Sequence, residues 1–167
     1  MINLLDTLGI EKAHVVGHDM GAVIAWVMGC FYPQRIGRLA VLSVGHPMAN
    51  REKRSIEQRE KAWYMLFFQF RDTAEALLKR DDWKLFREIL RNHSEVENWI
   101  SDLSRPGALT AALNWYRANM GPERELAKPV LIPAVKLPTL GIWSSGDAYL
   151  TEKPMLASEA FVAGEWQ

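Results

Sequence analysis

One carboxylate in this sequence stands where covalent chemistry is possible. Asp19 lies between Gly17 and Gly21, in a G-x-D-x-G pattern that follows a β-branched run and precedes an apolar segment. A tight turn from strand to helix strains the backbone of its central residue, and flanking glycines avoid steric clashes there. The next helix directs the positive end of its dipole at the turn. The pattern therefore predicts a nucleophile at Asp19, with the backbone N–H of Met20 as an oxyanion donor.

A carboxylate nucleophile performs a different reaction from a serine in the same position. It displaces at carbon and forms an alkyl–enzyme ester, whose hydrolysis needs a water, a base such as histidine, and oxyanion donors. The structural alternative is that Asp19 is the N-cap of the following helix, a common place for aspartate. Both interpretations require a strand before the turn and a helix after it.

Three short apolar runs are predicted to form the strands that support this turn. They lie at residues 13–16, 39–44 and 139–143. A helix over residues 22–32 joins the first two, and such strand–helix–strand units are almost always right-handed and parallel. The fold class is therefore α/β, with a parallel sheet as the core. Both edges of this sheet are expected to lack neighbouring strands, which favours aggregation.

The segment between the second and third strands has a different character. Residues 48–128 show helical spacing and no convincing strand, and they carry four tryptophans, Trp63, Trp83, Trp99 and Trp115. We interpret this segment as an α-helical lid. The predicted organisation is a first part of the core at 1–47, the lid at 48–128 and a second part of the core at 129–167. An aromatic lid suggests an apolar pocket, with Trp63 and Trp115 as candidate lining residues.

Composition narrows the possible partners and the compartment. The 167 residues suit one domain, and the 20 basic and 20 acidic residues cancel, so no charge excess predicts nucleic acid or an anionic membrane surface as a partner. The longest apolar stretch, residues 21–32, is shorter than the ~20 residues of a membrane helix. One cysteine, Cys30, excludes an internal disulfide and a Cys-rich zinc site, and favours a cytoplasmic compartment. The oligomeric state is not indicated.

Residues 17–22, Gly-His-Asp-Met-Gly-Ala, resemble the nucleophile elbow of epoxide hydrolases and their dehalogenase relatives in the α/β-hydrolase fold. Two further stretches favour the epoxide hydrolases. Residues 63–69 resemble the motif Y-x-x-x-F-Q, and residues 113–117 resemble N-W-Y-R. The resemblance implies that Tyr64 and Tyr116 hydrogen-bond the epoxide oxygen and donate a proton as the ring opens. Alone, either tyrosine would more simply be core or lid surface.

The resemblance continues after the third strand. Residues 140–147 are similar to the stretch that carries the family's charge-relay acid, which implies that Asp147 orients a base histidine. The order of nucleophile, then acid, agrees with the fold. A turn aspartate is the structural alternative. His46, at the carboxyl end of the second strand, is a candidate pocket residue and a conceivable substitute base, although a structural role suits it better.

Two parts of the family pattern are not found. All four histidines precede Asp147, and no His-Gly-x-Pro turn occurs before the elbow. We therefore expect a partial α/β-hydrolase chain, poorly stable alone, that forms the ester slowly and cannot hydrolyse it efficiently.

The resemblance implies an epoxide hydrolase that opens a small apolar epoxide to a vicinal diol, with no metal or organic cofactor. A haloalkane dehalogenase-like hydrolase is the first alternative, but Met20 offers no halide-binding donor such as tryptophan. A non-catalytic member of the fold that binds a small ligand is the second alternative.

Overall fold

The computed structural model describes residues 1–53, 55–128 and 130–167, apart from the side chains of Arg124 and Glu125. Pro129, where the second part of the core is predicted to begin, lies outside the described residues. The chain divides into two compact units. We call Met1–Lys61 with Pro129–Gln167 the sheet unit, and Ala62–Lys128 the helical unit.

In chain order, the described helices and strands are α1 (Ile2–Thr7), β1 (Ala13–His18), α2 (Met20–Phe31), β2 (Ile36–Leu42), α3 (Pro47–Glu52), α4 (Ile56–Lys61), α5 (Trp63–Phe67), α6 (Thr73–Ile89), α7 (Val96–Leu103), α8 (Ala108–Asn119), β3 (Thr139–Ile142) and α9 (Lys153–Ala157). Short 3₁₀ turns lie at Pro33–Arg35, Pro122–Glu125 and Ser158–Phe161. Every described helix is too short or too polar to cross a membrane.

The three strands form one parallel sheet in the order β1-β2-β3, which confirms the predicted α/β fold. Val16 of β1 pairs with Ala40 of β2, and Ala40 pairs in turn with Leu140 of β3. Helix α2 returns the chain from β1 to β2, as the apolar run between them predicts. Because the strands are parallel, the loops that follow them leave the sheet at one common edge.

The expectation of two uncovered sheet edges is wrong for β3. The backbone N–H of Thr139 donates to the carbonyl of Glu165 at 2.8 Å, and the N–H of Gln167 donates to the carbonyl of Thr139 at 3.1 Å. Trp166 forms a parallel bridge with Thr139. The final residues of the described chain thus continue the sheet beyond β3, because their extended backbone can satisfy the outward-facing groups of that strand.

The core of the sheet unit lies between the sheet and α2. Trp26 of α2 is fully buried, and its indole N–H donates to the carbonyl of Val44 at 3.0 Å. Ile36, Leu39 and Val41 of β2 are also buried there. Burial of these side chains supplies the main stabilisation of the unit.

Helices α3 and α4 belong to the sheet unit, so the helical unit begins at Ala62, later than the predicted lid boundary at residue 48. Ala49 of α3 is fully buried. The N–H of His46, just before α3, donates to the Ser158 hydroxyl at 2.7 Å. These contacts hold the start of the predicted insertion against the sheet unit, and amino-acid pattern alone does not reveal such long-range packing.

The helical unit has a core of its own, and no strand occurs among its described residues. Leu78 of α6 and Leu109 and Leu113 of α8 are buried in it, together with Phe68 and Trp83. The backbone dihedral angles of residues 80–83 are not helical, and α6 is therefore divided into two segments.

Candidate functional site

Asp19 forms the whole turn between β1 and α2. Its backbone has φ 52° and ψ −120°, a combination that costs a non-glycine residue about 1–3 kcal/mol. The observed turn is therefore shorter than the predicted one over residues 17–21, because a single strained residue reverses the direction of the chain. Asp19 stands at the N-cap position, yet its side chain makes no capping hydrogen bond. Capping therefore gives no reason for an aspartate at this position, and the carboxylate is exposed.

The two glycines of the motif have different surroundings. A Cβ on Gly17 would overlap the backbone of the next helix, 2.7 Å from the carbonyl carbon of Gly21 and 2.8 Å from Cα of Ala22. A Cβ on Gly21 would meet nothing within 4 Å. Gly17 is thus required by the close approach of strand and helix. Met20 is the first residue of α2, where the N–H has no partner within the helix.

Asp147 follows β3 at the same sheet edge at which Asp19 follows β1. Its Oδ1 accepts the backbone N–H groups of Tyr149 at 2.8 Å and Leu150 at 2.9 Å. This Asx-type arrangement fixes the carboxylate on its own loop. The loop geometry accommodates both interpretations of Asp147, the turn residue and the acid, because Oδ2 takes no part in these two bonds.

Side chains from α4 hold the loop that carries Asp147. The Gln58 amide donates to the carbonyl of Tyr149 at 2.8 Å and accepts both the N–H and the hydroxyl of Thr151 at 2.9 Å. Lys61 donates from Nζ to the carbonyl of Asp147 at 2.8 Å. The sequence carries no signal for this arrangement, because the partners are about ninety residues apart.

His46 lies in the buried interior of the sheet unit. Its side chain is fully buried, with the ring stacked on Phe161 at 4.9 Å. Nδ1 accepts the N–H of Met48 at 3.3 Å, and Nε2 lies 3.5 Å from Sγ of Cys30. Burial lowers the pKa of His46 from 6.5 to about 4 and raises the pKa of the Cys30 thiol to about 11. These surroundings suit a neutral histidine with a structural role, because Met48 and Cys30 already contact its two ring nitrogens.

The two candidate proton donors meet in the helical unit. The ring of Tyr64, on α5, lies edge-to-face against the ring of Tyr116, on α8, with centroids 6.1 Å apart. Both rings also pack edge-to-face on Phe68, at 5.5 Å and 5.1 Å respectively. Fifty-two positions of sequence thus separate two phenols that the fold places side by side.

The two candidate pocket tryptophans flank this pair. Trp63 precedes Tyr64 on α5 and is 49% exposed, with its ring 5.9 Å from that of Phe67. Trp115 is partly buried and packs edge-to-face on Tyr116 at 5.6 Å. Aromatic side chains therefore surround the tyrosine pair within the helical unit.

A buried ion pair lies beside the tyrosines, and the sequence did not predict it. Arg117 donates through both terminal nitrogens to the two carboxylate oxygens of Glu75, at 2.7 Å and 2.9 Å. The Arg117 side chain is 5% exposed and that of Glu75 13%. The guanidinium holds the pKa of Glu75 down at about 2. The final letter of the N-W-Y-R motif is the one sequence signal that could have pointed to Arg117.

No group of three His, Cys, Asp or Glu side chains that could hold a metal ion occurs among the described residues. The candidate residues Asp19, Asp147, Tyr64 and Tyr116 offer carboxylates and phenols. A strained, exposed carboxylate can act as a nucleophile, and paired phenols can donate protons.

Comparisons with known proteins identify relatives of this chain. A family model described as the alpha/beta hydrolase fold matches residues 1–153. Human "Epoxide hydrolase 4" is 30% identical over 163 residues, which cover 89% of this chain and 44% of the relative. "AB hydrolase superfamily protein YfhM" of Bacillus subtilis is 31% identical over 163 residues, covering 92% of this chain and 56% of that protein. The chain spans about half the length of these curated relatives.

A solved structure has the same fold as this chain. It comes from work on novel epoxide hydrolases of the alpha/beta hydrolase superfamily in metagenomes from hot environments. The two chains share 26% identity, with a TM-score of 0.74, over 98% of this chain and 61% of the other.

Proposed function

This chain belongs to the alpha/beta hydrolase fold family, and from that premise we propose that it carries the ester-forming residues of an epoxide hydrolase. Similarity to proteins named epoxide hydrolases supports the proposal. The observation that carries it furthest is the pairing of Tyr64 with Tyr116 in a unit separate from the strained turn of Asp19. We propose that this turn is the family's nucleophile elbow and that the helical unit is its cap.

In the proposed first step, the carboxylate of Asp19 attacks one carbon of the epoxide. A bond forms between a carboxylate oxygen and that carbon, and the bond from the carbon to the ring oxygen breaks. The electron pair goes to the ring oxygen, which both Tyr64 and Tyr116 hydrogen-bond and which takes a proton from one of them. General acid catalysis of this kind contributes about 100-fold or more, because an unprotonated alkoxide is a poor leaving group.

In the proposed second step, water hydrolyses the ester and releases a vicinal diol. The backbone N–H of Met20 stabilises the oxyanion, and Asp147 orients a base histidine. His14, His18, His46 and His93 all precede Asp147 in the sequence, and His46 is buried. The test of the proposal therefore measures the first step, which requires no histidine.

The paired phenols favour an epoxide over a halide as the leaving group. A haloalkane expels a stable anion and needs a halide-binding donor, whereas an epoxide oxygen needs a proton. We propose a small apolar epoxide as the substrate, since the aromatic side chains around the tyrosine pair offer apolar surface.

The test is covalent labelling of the purified chain with an aryl epoxide such as styrene oxide. We expect one adduct, with the mass of the epoxide, on the carboxylate of Asp19, found by intact mass and peptide mapping. Asp19→Asn should abolish the adduct, and Tyr64→Phe and Tyr116→Phe should each slow its formation about 100-fold. Asp102→Asn, at an exposed carboxylate, is the matched control and should label normally.

Three results would overturn the proposal. They are no adduct with the folded wild-type chain, an adduct confined to another side chain, or undiminished labelling of Asp19→Asn. Release of halide from a haloalkane, with no labelling by the epoxide, would instead favour the dehalogenase alternative.

A further inference from the structure

Arg117 is bonded to three different segments of the helical unit. Its terminal nitrogens donate to Glu75, near the start of α6, and its Nε donates to the carbonyl of Phe68 at 2.8 Å. One terminal nitrogen also donates to Asn114, a turn earlier on α8, at 3.1 Å. This side chain connects α8 to the start of α6 and to the residue that follows α5.

Phe68 links this ion pair to the tyrosines. Its carbonyl accepts the hydrogen bond from Arg117, while its ring packs against both Tyr64 and Tyr116. The N–H of Phe68 also donates to the carbonyl of Tyr64 at 2.9 Å. A displacement of Arg117 would therefore move the residue that supports both phenol rings.

Local helix stability cannot hold the ring of Tyr64 in place. Helix α5, which carries Tyr64, has five residues, far fewer than an isolated helix needs. The orientation of its side chains must therefore come from tertiary contacts. A bidentate guanidinium–carboxylate pair is directional, so it fixes an angle as well as a distance between the segments it joins.

We propose that Arg117 and Glu75 are positioning residues that set the geometry of the Tyr64–Tyr116 pair for protonation of the epoxide oxygen. The two residues act through Phe68 and do not touch the substrate. This inference rests on the proposed function, because that function gives the tyrosines their role as proton donors.

The first experiment compares two identical substitutions in the helical unit. Arg117→Lys keeps the positive charge but loses the planar fork, whereas Arg105→Lys makes the same change at an exposed pair with Asp102. The rate of adduct formation at Asp19 is measured over a range of styrene oxide concentrations. We expect Arg117→Lys to lower the saturating rate roughly tenfold and to change the half-saturating concentration less than about twofold. Arg105→Lys should change neither.

A double-mutant cycle separates positioning from general destabilisation. If Arg117 acts through the tyrosines, Arg117→Lys should change the labelling rate by less than about twofold in a chain that already carries Tyr64→Phe and Tyr116→Phe. An equal loss of rate in both backgrounds would overturn the inference. An unchanged rate for folded Arg117→Lys in the wild-type background would also overturn it.

A measurement without any reaction keeps the inference testable if the wild-type chain forms no adduct. The chain has four tyrosines, so 3-fluorotyrosine labelling gives four ¹⁹F signals. Tyr64→Phe and Tyr116→Phe assign two of them. Arg117→Lys should shift these two and leave those of Tyr32 and Tyr149 unchanged. Unshifted signals would overturn the inference independently of the proposed function.

If circular dichroism shows that Arg117→Lys is unfolded, Glu75→Gln replaces it in all three measurements. This variant keeps the shape of the side chain and removes its charge. The expected and contrary results are the same as for Arg117→Lys.

Discussion

The sheet unit and the helical unit place their candidate reactive groups by different means. In the sheet unit, the backbone places Asp19: its φ and ψ are strained, and Gly17 permits the close approach of strand and helix. In the helical unit, side chains place Tyr64 and Tyr116, through ring contacts with each other and with Phe68. The first arrangement is local in sequence, and the second depends on residues far apart.

This difference determines which substitutions each group tolerates. A backbone-positioned carboxylate depends on the residues that shape the turn and little on its own side chain. A side-chain-positioned pair depends on its neighbours, so we expect the loss of Arg117 or Glu75 to change the geometry of the two rings.

Gly17→Ala should lower the free energy of unfolding by about 3 kcal/mol, because the new methyl group would overlap main-chain atoms that cannot rotate away. Chemical denaturation monitored by tryptophan fluorescence gives this value. Gly21→Ala is the matched control from the same motif, since a Cβ there meets open space. Alanine in place of glycine within a helix stabilises the helix by up to about 1 kcal/mol. Gly21→Ala should therefore change the free energy of unfolding by less than about 1 kcal/mol. Equal effects at the two glycines would contradict the proposed role of close approach.

The same contrast explains how much the sequence could predict. The turn at Asp19 and the three strands were predicted because their signals lie within a few consecutive residues: two glycines, a β-branched run and an apolar helix. The contacts of Arg117 with Glu75 and Phe68 span 42 and 49 positions, and no local pattern encodes them. His46 shows the same limit, because its contacts with Phe161 and Cys30 depend on residues far from it in the sequence.

The two units also contain buried ionisable groups of opposite kinds, which acid should distinguish. His46 is held neutral, with its pKa lowered from 6.5 to about 4, whereas Glu75 is held charged, with its pKa lowered from 4.5 to about 2 by Arg117. In both cases the unfolded chain binds the proton more readily, so stability falls as the pH falls. The loss begins near pH 6.5 for His46 and only below pH 4.5 for Glu75.

We therefore expect the free energy of unfolding to drop by about 2 kcal/mol between pH 7.5 and pH 5 through His46. Urea denaturation at a series of pH values measures the slope. His46→Gln should remove most of the slope in this range, and Glu75→Gln should retain it, because Glu75 stays ionised in both the folded and most of the unfolded chain at pH 5. A slope that survives His46→Gln would show that the buried ring is not its source.

The smallest predicted effect concerns the loop of Asp147, which combines both means of positioning. Its own backbone N–H groups fix the carboxylate, while the Gln58 amide fixes the end of the loop at Thr151. Gln58→Ala should lower the free energy of unfolding by about 1 kcal/mol. It removes three hydrogen bonds, but water can reach part of the loop and replace some of them. In hydrogen exchange, the Thr151 amide should exchange about fivefold faster, whereas the Tyr149 and Leu150 amides should change little, because they donate to Asp147. Gln34→Ala, the same change at an exposed glutamine, should leave all three rates unaltered. Equal acceleration of the three amides in Gln58→Ala would mean that the side chain of α4, and not the backbone of the loop, holds the carboxylate in place.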